Sequence, residues 1–220
     1  MNRAVLAEWL RFYRDMGVDN LRLSSEVLTV KQTDSLEDLH NRIRSCSRCA
    51  LHKTRHHAVP GEGSSHPEIL FVGEAPGQQE DQVGKPFVGN AGQLLDRLIQ
   101  RMGYGRDSVF ISNIVKCRPP GNRDPNMDEV AACLPFLRRQ IALLTPKVIV
   151  CLGKVAANSL LGSQTPISRL RGRVWSFEKI PVVCTYHPSF ILHQRGPEAV
   201  SKSKWEVWAD MQEVLKILNR

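Results

Sequence analysis

Residues 69–92 read ILFVGEAPGQQEDQVGKPFVGNAG, and this stretch decides the fold. Its first five residues, 69–73, form an apolar run that is typical of a strand buried on both faces. A loop rich in glycine and proline follows, and residues 91–102 then place Leu94, Leu95, Leu98 and Ile99 on one helical face. A buried strand, a shaped loop and an amphipathic helix form the repeating unit of parallel α/β sheets.

The same alternation continues through the rest of the chain. Ser35 and Asp38 form a capping pattern before a first helix, and Asn126 with Glu129 caps a helix that runs to about Leu144. Further strands are expected at 109–113, 148–152, 174–177 and 182–186, with helices at 154–161 and from about residue 198. The pattern predicts a three-layer α/β/α fold around a central, mainly parallel four-stranded sheet, with ligands bound beyond the carboxyl ends of its strands.

The chain is expected to have two parts. Residues 1–34 carry one apolar helical face, which includes Trp9 and Tyr13, followed by a polar stretch without periodicity. We interpret this segment as an N-terminal helical extension and linker. Residues 35–220 then form the functional domain.

Composition limits the class of partner. The 220 residues are 42% hydrophobic with a net charge of +8, and the sequence pI is about 9.4. A basic protein with enough apolar residues for a core favours nucleic acid as partner, with an anionic membrane surface second. No segment predicts a membrane span or a secretory signal, so we expect a cytoplasmic protein with reduced cysteines.

Four of the six cysteines form a pattern that is typical of a metal site. Cys46 and Cys49 make a C-x-x-C pair, and a loop and part of a helix separate Cys117 from Cys133. Four thiolates suit a tetrahedral zinc or an iron–sulfur cluster, and spacing alone does not separate the two. The alternative is a redox-active C-x-x-C pair with two core cysteines, since nearby basic residues would lower thiol pKa values.

Three strand-end loops carry the candidate site residues. The first delivers Glu74, Glu80, Asp81 and the apolar Phe87 to one region, and it lacks the Gly-Lys-Ser/Thr of a phosphate-binding P-loop. The second begins at Asn113, whose amide offers both a donor and an acceptor. The third is His187-Pro188-Ser189-Phe190. Around the second loop, Lys116, Arg118 and Arg123 form a predicted phosphate clamp. The positive field of these three residues, together with Arg169, Arg171 and Arg173, would bind DNA phosphates.

These loops together resemble the family 4, iron–sulfur uracil-DNA glycosylases. The resemblance extends from about Cys46 to the C-terminus and rests on GEAPGQQED, KPFVGNAGQLLDRL, VFISNIVKCRPPGNR, LGKVAA and HPSFIL together with the four cysteines. It implies a [4Fe-4S] cluster on Cys46, Cys49, Cys117 and Cys133. It also implies an enzyme of base excision repair that cleaves uracil from DNA and leaves an abasic site.

The resemblance further assigns roles within the pocket. Phe87 would stack on a flipped uracil, Asn113 would bind its Watson–Crick edge, and His187 would contact O2 as negative charge develops. Backbone groups of Glu74, Ala75 and Pro76 would line the pocket. Ser189 and Phe190 would press on the DNA.

One departure concerns the attacking water. Ala75 occupies the place where another branch of the superfamily carries an aspartate. Another carboxylate must take the role, with Glu80 as the first candidate and Glu74 as the second. Glu80 has an alternative role, in which it crowds C5 and rejects thymine.

Alternative functions remain at this stage. They are a relative that becomes covalently trapped on its DNA product, a non-catalytic iron–sulfur DNA-binding module, and a zinc-binding RNA module. The segment CRPPGNRDPN lacks the histidine of the trapping branch, which favours turnover. The expected partner is uracil-containing DNA, single- or double-stranded, bound by a monomer that associates with the nucleoid when it acts.

Overall fold

The structure is a computed structural model in which residues 35–219 are described. The helix and linker that we expect in residues 1–34 lie outside the described residues. Within 35–219, no helix has the length and apolar character needed to cross a membrane.

Eight α-helices and six strands make up this part of the chain. The helices are α1 (Leu36–Arg44), α2 (Gln78–Val83), α3 (Asn90–Arg101), α4 (Met127–Leu144), α5 (Lys154–Leu161), α6 (Ile167–Leu170), α7 (Pro188–Leu192) and α8 (Pro197–Leu218). The strands are β1 (Glu62–Gly63), β2 (Ile69–Gly73), β3 (Phe110–Asn113), β4 (Val148–Leu152), β5 (Val174–Phe177) and β6 (Ile180–Thr185). Short 3-10 turns occupy Ala50–Lys53 and Pro120–Asn122.

All six strands form one sheet in the order β1-β3-β2-β4-β6-β5. The four inner strands β3, β2, β4 and β6 run parallel, and β1 and β5 pair antiparallel at the two edges. The predicted parallel core of four strands is confirmed, and each edge carries one added antiparallel strand. The β1 edge is only two residues long, and short edge strands limit pairing with other chains.

Alternate residues of each inner strand pack on opposite faces of the sheet. Leu70 and Val72 of β2 join an apolar cluster formed with α1, α4 and α5. Ile69 and Phe71 join a second cluster formed with α3 and α8. Helices therefore cover both faces, which confirms the three-layer arrangement.

Capping residues set the helix starts as the sequence predicts. The Asp38 amide donates to Ser35 Oγ at 3.0 Å, and the Ser35 amide donates to Asp38 Oδ2 at 3.2 Å. Three short helices, α2, α6 and α7, were not predicted, and α2 lies inside the glycine-rich loop. At the start of α2, Glu80 accepts from the Gly77 amide, and Gly84, with φ = 76°, ends the helix. The glycines at both ends had indicated a loop, so this short helix was not predicted.

Candidate active site

A cavity of about 510 Å³ opens at the carboxyl ends of the parallel strands. Its wall includes one residue at or just after the end of each inner strand, namely Glu74, Asn113, Gly153 and His187. Parallel α/β sheets bind ligands at this edge, because the loops that follow the strands converge there. The cavity brings together nine of the residues predicted for the site: Glu74, Ala75, Pro76, Glu80, Phe87, Asn113, Arg123, His187 and Ser189.

Asn113 offers an unused hydrogen-bond acceptor in this cavity. Its side chain is buried, and its Oδ1 has no hydrogen-bond partner among the described residues. Buried polar atoms nearly always have a hydrogen-bond partner. An unpaired acceptor on the wall of a cavity therefore indicates a position to which a ligand can donate a hydrogen bond.

Gly73 forms the floor under Asn113 and Phe87. A Cβ at this position would lie 2.3 Å from Asn113 Oδ1 and 2.6 Å from Phe87 Cζ. Only glycine therefore allows the amide and the aromatic ring to approach each other at the end of β2.

Phe87 is held in a backbone conformation that phenylalanine rarely adopts. Its φ is 50°, and its side chain is buried, with a ring centroid 5.6 Å from that of His187. Such a conformation costs on the order of 1–3 kcal/mol and persists only where surrounding contacts enforce it. The ring is thus fixed beside His187 rather than free to rotate into solvent.

His187 is a neutral hydrogen-bond donor at physiological pH. Burial lowers the pKa of its imidazole to about 4. The Ser189 amide donates to His187 Nδ1 at 3.2 Å, and the Ser189 hydroxyl lies 2.7 Å from the same nitrogen. Because an amide can only donate, Nδ1 is the acceptor, and the proton of the neutral ring is on Nε2.

The two candidate carboxylates have different surroundings. Glu80 accepts from the amides of Gly77, Val88 and Gly89 at 3.1, 2.8 and 2.9 Å, so both of its oxygens are engaged by the backbone. Glu74 accepts no such bonds from the described residues, and burial, with a smaller effect from the Asp124 carboxylate, raises its pKa to about 7. Glu80 is therefore bound to the backbone, whereas Glu74 is the carboxylate on the cavity wall without such bonds.

Lys116 lies inside the protein rather than on a DNA-facing surface. It is 1% exposed, and its ammonium group donates to Ser112 Oγ, the Asn113 carbonyl and Gln140 Oε1 at 2.6, 2.7 and 2.8 Å. Burial lowers the pKa of Lys116 to about 8. The prediction that Lys116 grips a phosphate is wrong, because three protein oxygens enclose its charge.

Arg171 is also held by the protein. Its Nε donates to Asp210 Oδ2 at 3.1 Å, its Nη2 donates to the Glu206 carbonyl, and its guanidinium lies 5.0 Å from the Tyr186 ring centroid. With its side chain only 15% exposed, it ties the segment before β5 to α8. The predicted phosphate contact of Arg171 is replaced by this structural contact.

The remaining predicted DNA contacts lie on or beyond the rim. Arg123 lines the cavity and forms a two-pronged ion pair with Glu129. Arg118 donates to Asn122 Oδ1 at 2.7 Å. Phe190 is 42% exposed and stacks on Tyr186 with ring centroids 4.6 Å apart.

Sequence reasoning missed two charged rim residues, Asp124 and Lys154. Lys154 is the first residue of α5 and lies two residues after the end of β4, so its strand-end position could have indicated it. Asp124 follows a proline-rich turn that carries no periodic signal.

A second, smaller cavity lies on the α1–α4 side. It is lined by all four predicted ligand cysteines, Cys46, Cys49, Cys117 and Cys133, and by basic residues that include Arg48 and Arg55. All four thiols are free. N–H groups point at three of the sulfurs: Arg55 Nη1 to Cys117 at 3.0 Å, the Lys116 amide to Cys133 at 3.3 Å, and the Arg48 amide to Cys46 at 3.5 Å.

The donor set of this cavity suits a metal centre. Four cysteine thiolates can bind a tetrahedral zinc or an iron–sulfur cluster, and the N–H groups directed at three of the sulfurs would stabilise them as thiolates. Within 35–219, the side chains are not arranged around a single metal ion.

Comparison with known proteins agrees with the arrangement of this site. A sequence model described as the Uracil DNA glycosylase superfamily matches residues 60–212. The chain is 46% identical over 169 residues to the type-4 uracil-DNA glycosylase of Archaeoglobus fulgidus, covering 73% of this chain and 85% of that protein. It is 47% identical over 169 residues to that of Saccharolobus solfataricus, covering 73% and 78%.

A bacterial type-4 enzyme has a similar sequence identity to this chain, and a type-5 enzyme has a lower one. The type-4 enzyme of Thermotoga maritima is 44% identical over 166 residues, covering 74% of this chain and 86% of that protein. The type-5 uracil-DNA glycosylase of Pyrobaculum aerophilum is 28% identical over 187 residues, covering 70% and 82%.

Proposed function

The chain belongs to the type-4 uracil-DNA glycosylases, and we propose that it hydrolyses the N-glycosidic bond of uracil flipped out of DNA, leaving an abasic site. The observation that carries the proposal is the orphan Oδ1 of Asn113, placed with the Phe87 ring over Gly73. Uracil fits this arrangement, because N3–H supplies the missing donor and the flat base supplies a stacking face.

His187 supports the departure of uracil. Breaking the bond between C1′ and N1 leaves the electron pair on the base, and the charge spreads to O2. The Nε2–H of a neutral His187 donates to that oxygen and stabilises the anion more than it stabilises the neutral base.

Glu74 is the proposed base for the attacking water. As a carboxylate it accepts a proton from water while the oxygen bonds to C1′ of the sugar cation. Glu80 instead accepts hydrogen bonds from two backbone amides of residues 84–89, the Phe87 loop.

We assign the second cavity to a [4Fe-4S] cluster held by Cys46, Cys49, Cys117 and Cys133. When bound, the cluster supplies a cross-link and no step of hydrolysis. Cys117 follows Asn113 by four residues, so the cross-link anchors the segment that recognises uracil.

The proposed substrate is uracil in single- or double-stranded DNA, bound by a monomer with Arg118, Arg123, Ser189 and Phe190 near the backbone. Such a substrate also puts the protein where the DNA is, in keeping with the cytoplasmic, nucleoid-associated location expected from the sequence.

The direct test incubates the protein with an oligonucleotide that contains one uracil and then cleaves abasic sites with alkali. We expect strand cleavage for the wild type and loss of about 10²-fold or more in excision rate for Asn113→Ala, because the substitution leaves uracil N3–H unpaired. Binding to the DNA at low salt should persist, since phosphate contacts supply it.

Asn158→Ala is the matched control, because Asn158 also has a side-chain oxygen without a hydrogen-bond partner among the described residues but does not line the cavity. A wild-type protein with a bound cluster that yields no cleavage would contradict the proposed function. Equal loss of excision and of DNA binding in Asn113→Ala would mean that Asn113 acts only in folding.

A further inference from the structure

Two charged side chains hold opposite ends of one peptide group in the Phe87 loop. Arg106 Nη1 donates to the Phe87 carbonyl at 3.2 Å, and Glu80 Oε1 accepts from the Val88 amide at 2.8 Å. These are the C=O and the N–H of the same Phe87–Val88 peptide. Each charged group also binds the neighbouring peptide, Arg106 at the Pro86 carbonyl and Glu80 at the Gly89 amide.

Arg106 is itself fixed from the side away from the cavity. Its Nη1 lies 2.6 Å from Asp96 Oδ1 on α3, and its Nη2 lies 3.5 Å from Glu62 Oε2 on β1. Its side chain is 28% exposed, and it does not line the 510 Å³ cavity. Arg106 therefore cannot touch a base in that cavity.

The backbone is strained at Phe87, between the contacts made by Arg106 and Glu80. Phe87 has φ = 50°, and Gly92 of α3 lies so close that a Cβ there would be 1.8 Å from the Phe87 carbonyl oxygen. A strained conformation persists when several independent contacts require it. The contacts on both sides of the Phe87–Val88 peptide are such a set.

We propose that Arg106 is a positioning residue which, together with Glu80, locks Phe87 in its strained conformation so that the stacking surface for uracil is formed before the base arrives. The role in catalysis rests on the proposed function. The lock itself is a property of the fold and can be measured without substrate.

The test compares Arg106→Met with Lys85→Met in the full-length protein with its cluster bound. Lys85 pairs with the same Glu62 at 2.8 Å but is 58% exposed and binds neither Phe87 nor Pro86. Hydrogen exchange of residues 86–92 should become faster in Arg106→Met and stay at the wild-type rate in Lys85→Met. In the excision assay, kcat should fall about 10- to 100-fold in Arg106→Met with little change in KM, as for a displaced contact group.

Two further variants separate positioning from general stability. Arg106→Lys should not restore kcat, because one ammonium cannot replace a planar fork that binds two carbonyls. Asp96→Asn, which removes the carboxylate that orients Arg106, should give a smaller change in the same direction and keeps the test available if Arg106→Met does not fold.

Unchanged exchange in Arg106→Met, or equal change in Lys85→Met, would overturn the proposal. Faster exchange with a wild-type kcat would overturn it as well, since the locked conformation would then be irrelevant to excision. A wild-type protein without excision activity would instead remove the proposed function, and the exchange comparison would still decide whether Arg106 holds the loop.

Discussion

Glu74 is a carboxylate whose environment suits proton transfer near neutral pH. Burial raises its pKa to about 7, and the Asp124 carboxylate across the cavity adds to the rise. A raised pKa means that Glu74 is protonated below about pH 7 and becomes a carboxylate above it. Only the carboxylate can accept a proton from water.

The excision rate should therefore increase with pH through a midpoint near 7. Asp124→Asn should move this midpoint to lower pH, because removing the neighbouring negative charge makes ionisation of Glu74 easier. Glu74→Gln should lower the rate by roughly 10²–10⁴-fold and remove this titration. Single-turnover excision measured from about pH 5 to about pH 9 gives all three results.

Asp128→Asn provides the control, since Asp128 is an exposed carboxylate that does not line the cavity. A midpoint that remains in Glu74→Gln would assign the titration to another group. His187 is not that group at neutral pH, because its pKa is lowered to about 4.

The sequence predicted only in part which side chains line the cavity. Asn113, Phe87 and His187 meet in the cavity because each lies at or beyond a strand end, and strand ends are visible as the limits of apolar runs. Lys116 also lies just after a strand end, that of β3, yet its ammonium group points into the protein and binds Ser112 and Gln140. That direction depends on α4, far along the chain, so no local pattern could have revealed it.

At the scale of elements, the start of α4 fixes part of the cavity rim. Glu129 accepts from the Asn126 amide at 2.8 Å and from both terminal nitrogens of Arg123 at 2.7 and 2.9 Å. The same carboxylate thus caps the helix and holds the segment that carries Arg123 and Asp124 against the site. Contact with the Arg123 guanidinium holds the pKa of Glu129 below its usual range.

Glu129→Gln should lower the melting temperature at neutral pH, because the amide can still cap Asn126 through its one oxygen but places an NH2 group against the Arg123 guanidinium and removes the ion pair. The loss should be about 1 kcal/mol. A lowered folded-state pKa stabilises above the ordinary pKa of 4.5 and ceases to do so as the pH falls through the lowered value. The difference from wild type should therefore stay constant between about pH 7 and pH 5.

Asp128→Asn is the matched control for this prediction too, since Asp128 also lies in the first turn of α4 but accepts no capping bond among the described residues. Thermal unfolding of both variants, followed by circular dichroism, makes the comparison. Equal losses would mean that helix-dipole charge, rather than the Glu129 contacts, stabilises this end.

Short elements show why boundaries were harder to predict than topology. The long periodic segments α3, α4 and α8 and the apolar runs of the inner strands follow directly from hydrophobic spacing. Helix α2 has six residues in a glycine-rich stretch and is formed by the Glu80 contacts rather than by an apolar face. The edge strand β1 has two residues and depends on pairing with β3, which its own sequence does not encode, whereas β5 was predicted as a strand but not as an antiparallel partner of β6.

At the scale of the molecule, the two cavities share one connecting segment. Asn113 at the end of β3 lines one cavity, and Cys117 lines the other. Buried Lys116 lies between them and joins the Asn113 carbonyl to Gln140 of α4, the helix that also carries Cys133. Anchoring at the cysteines should therefore limit the movement of Asn113 even though no cysteine lines the uracil cavity.

Replacing one cysteine tests this arrangement. We expect the wild type to contain about four iron and four sulfide per chain with visible absorption, and Cys133→Ala to lose iron and sulfide. Far-UV circular dichroism should change little, because none of the four ligand cysteines lies on a strand or in the apolar cluster on the α3–α8 face; they belong to or pack against the other cluster only. Hydrogen exchange in residues 45–57 and 113–126 should rise, and excision should fall with it.

Cys151→Ala is the control, because Cys151 is a buried cysteine on β4 that pairs in register with Cys184 and does not line the cysteine-lined cavity. It should keep full iron content and excision, with only a small packing loss. If Cys133→Ala kept its iron, the assignment of Cys133 as a ligand would be wrong. If it lost iron while exchange at Asn113 stayed unchanged, the cluster would be confined to its own loop, and the connecting segment through Lys116 would not transmit its anchoring to the uracil cavity.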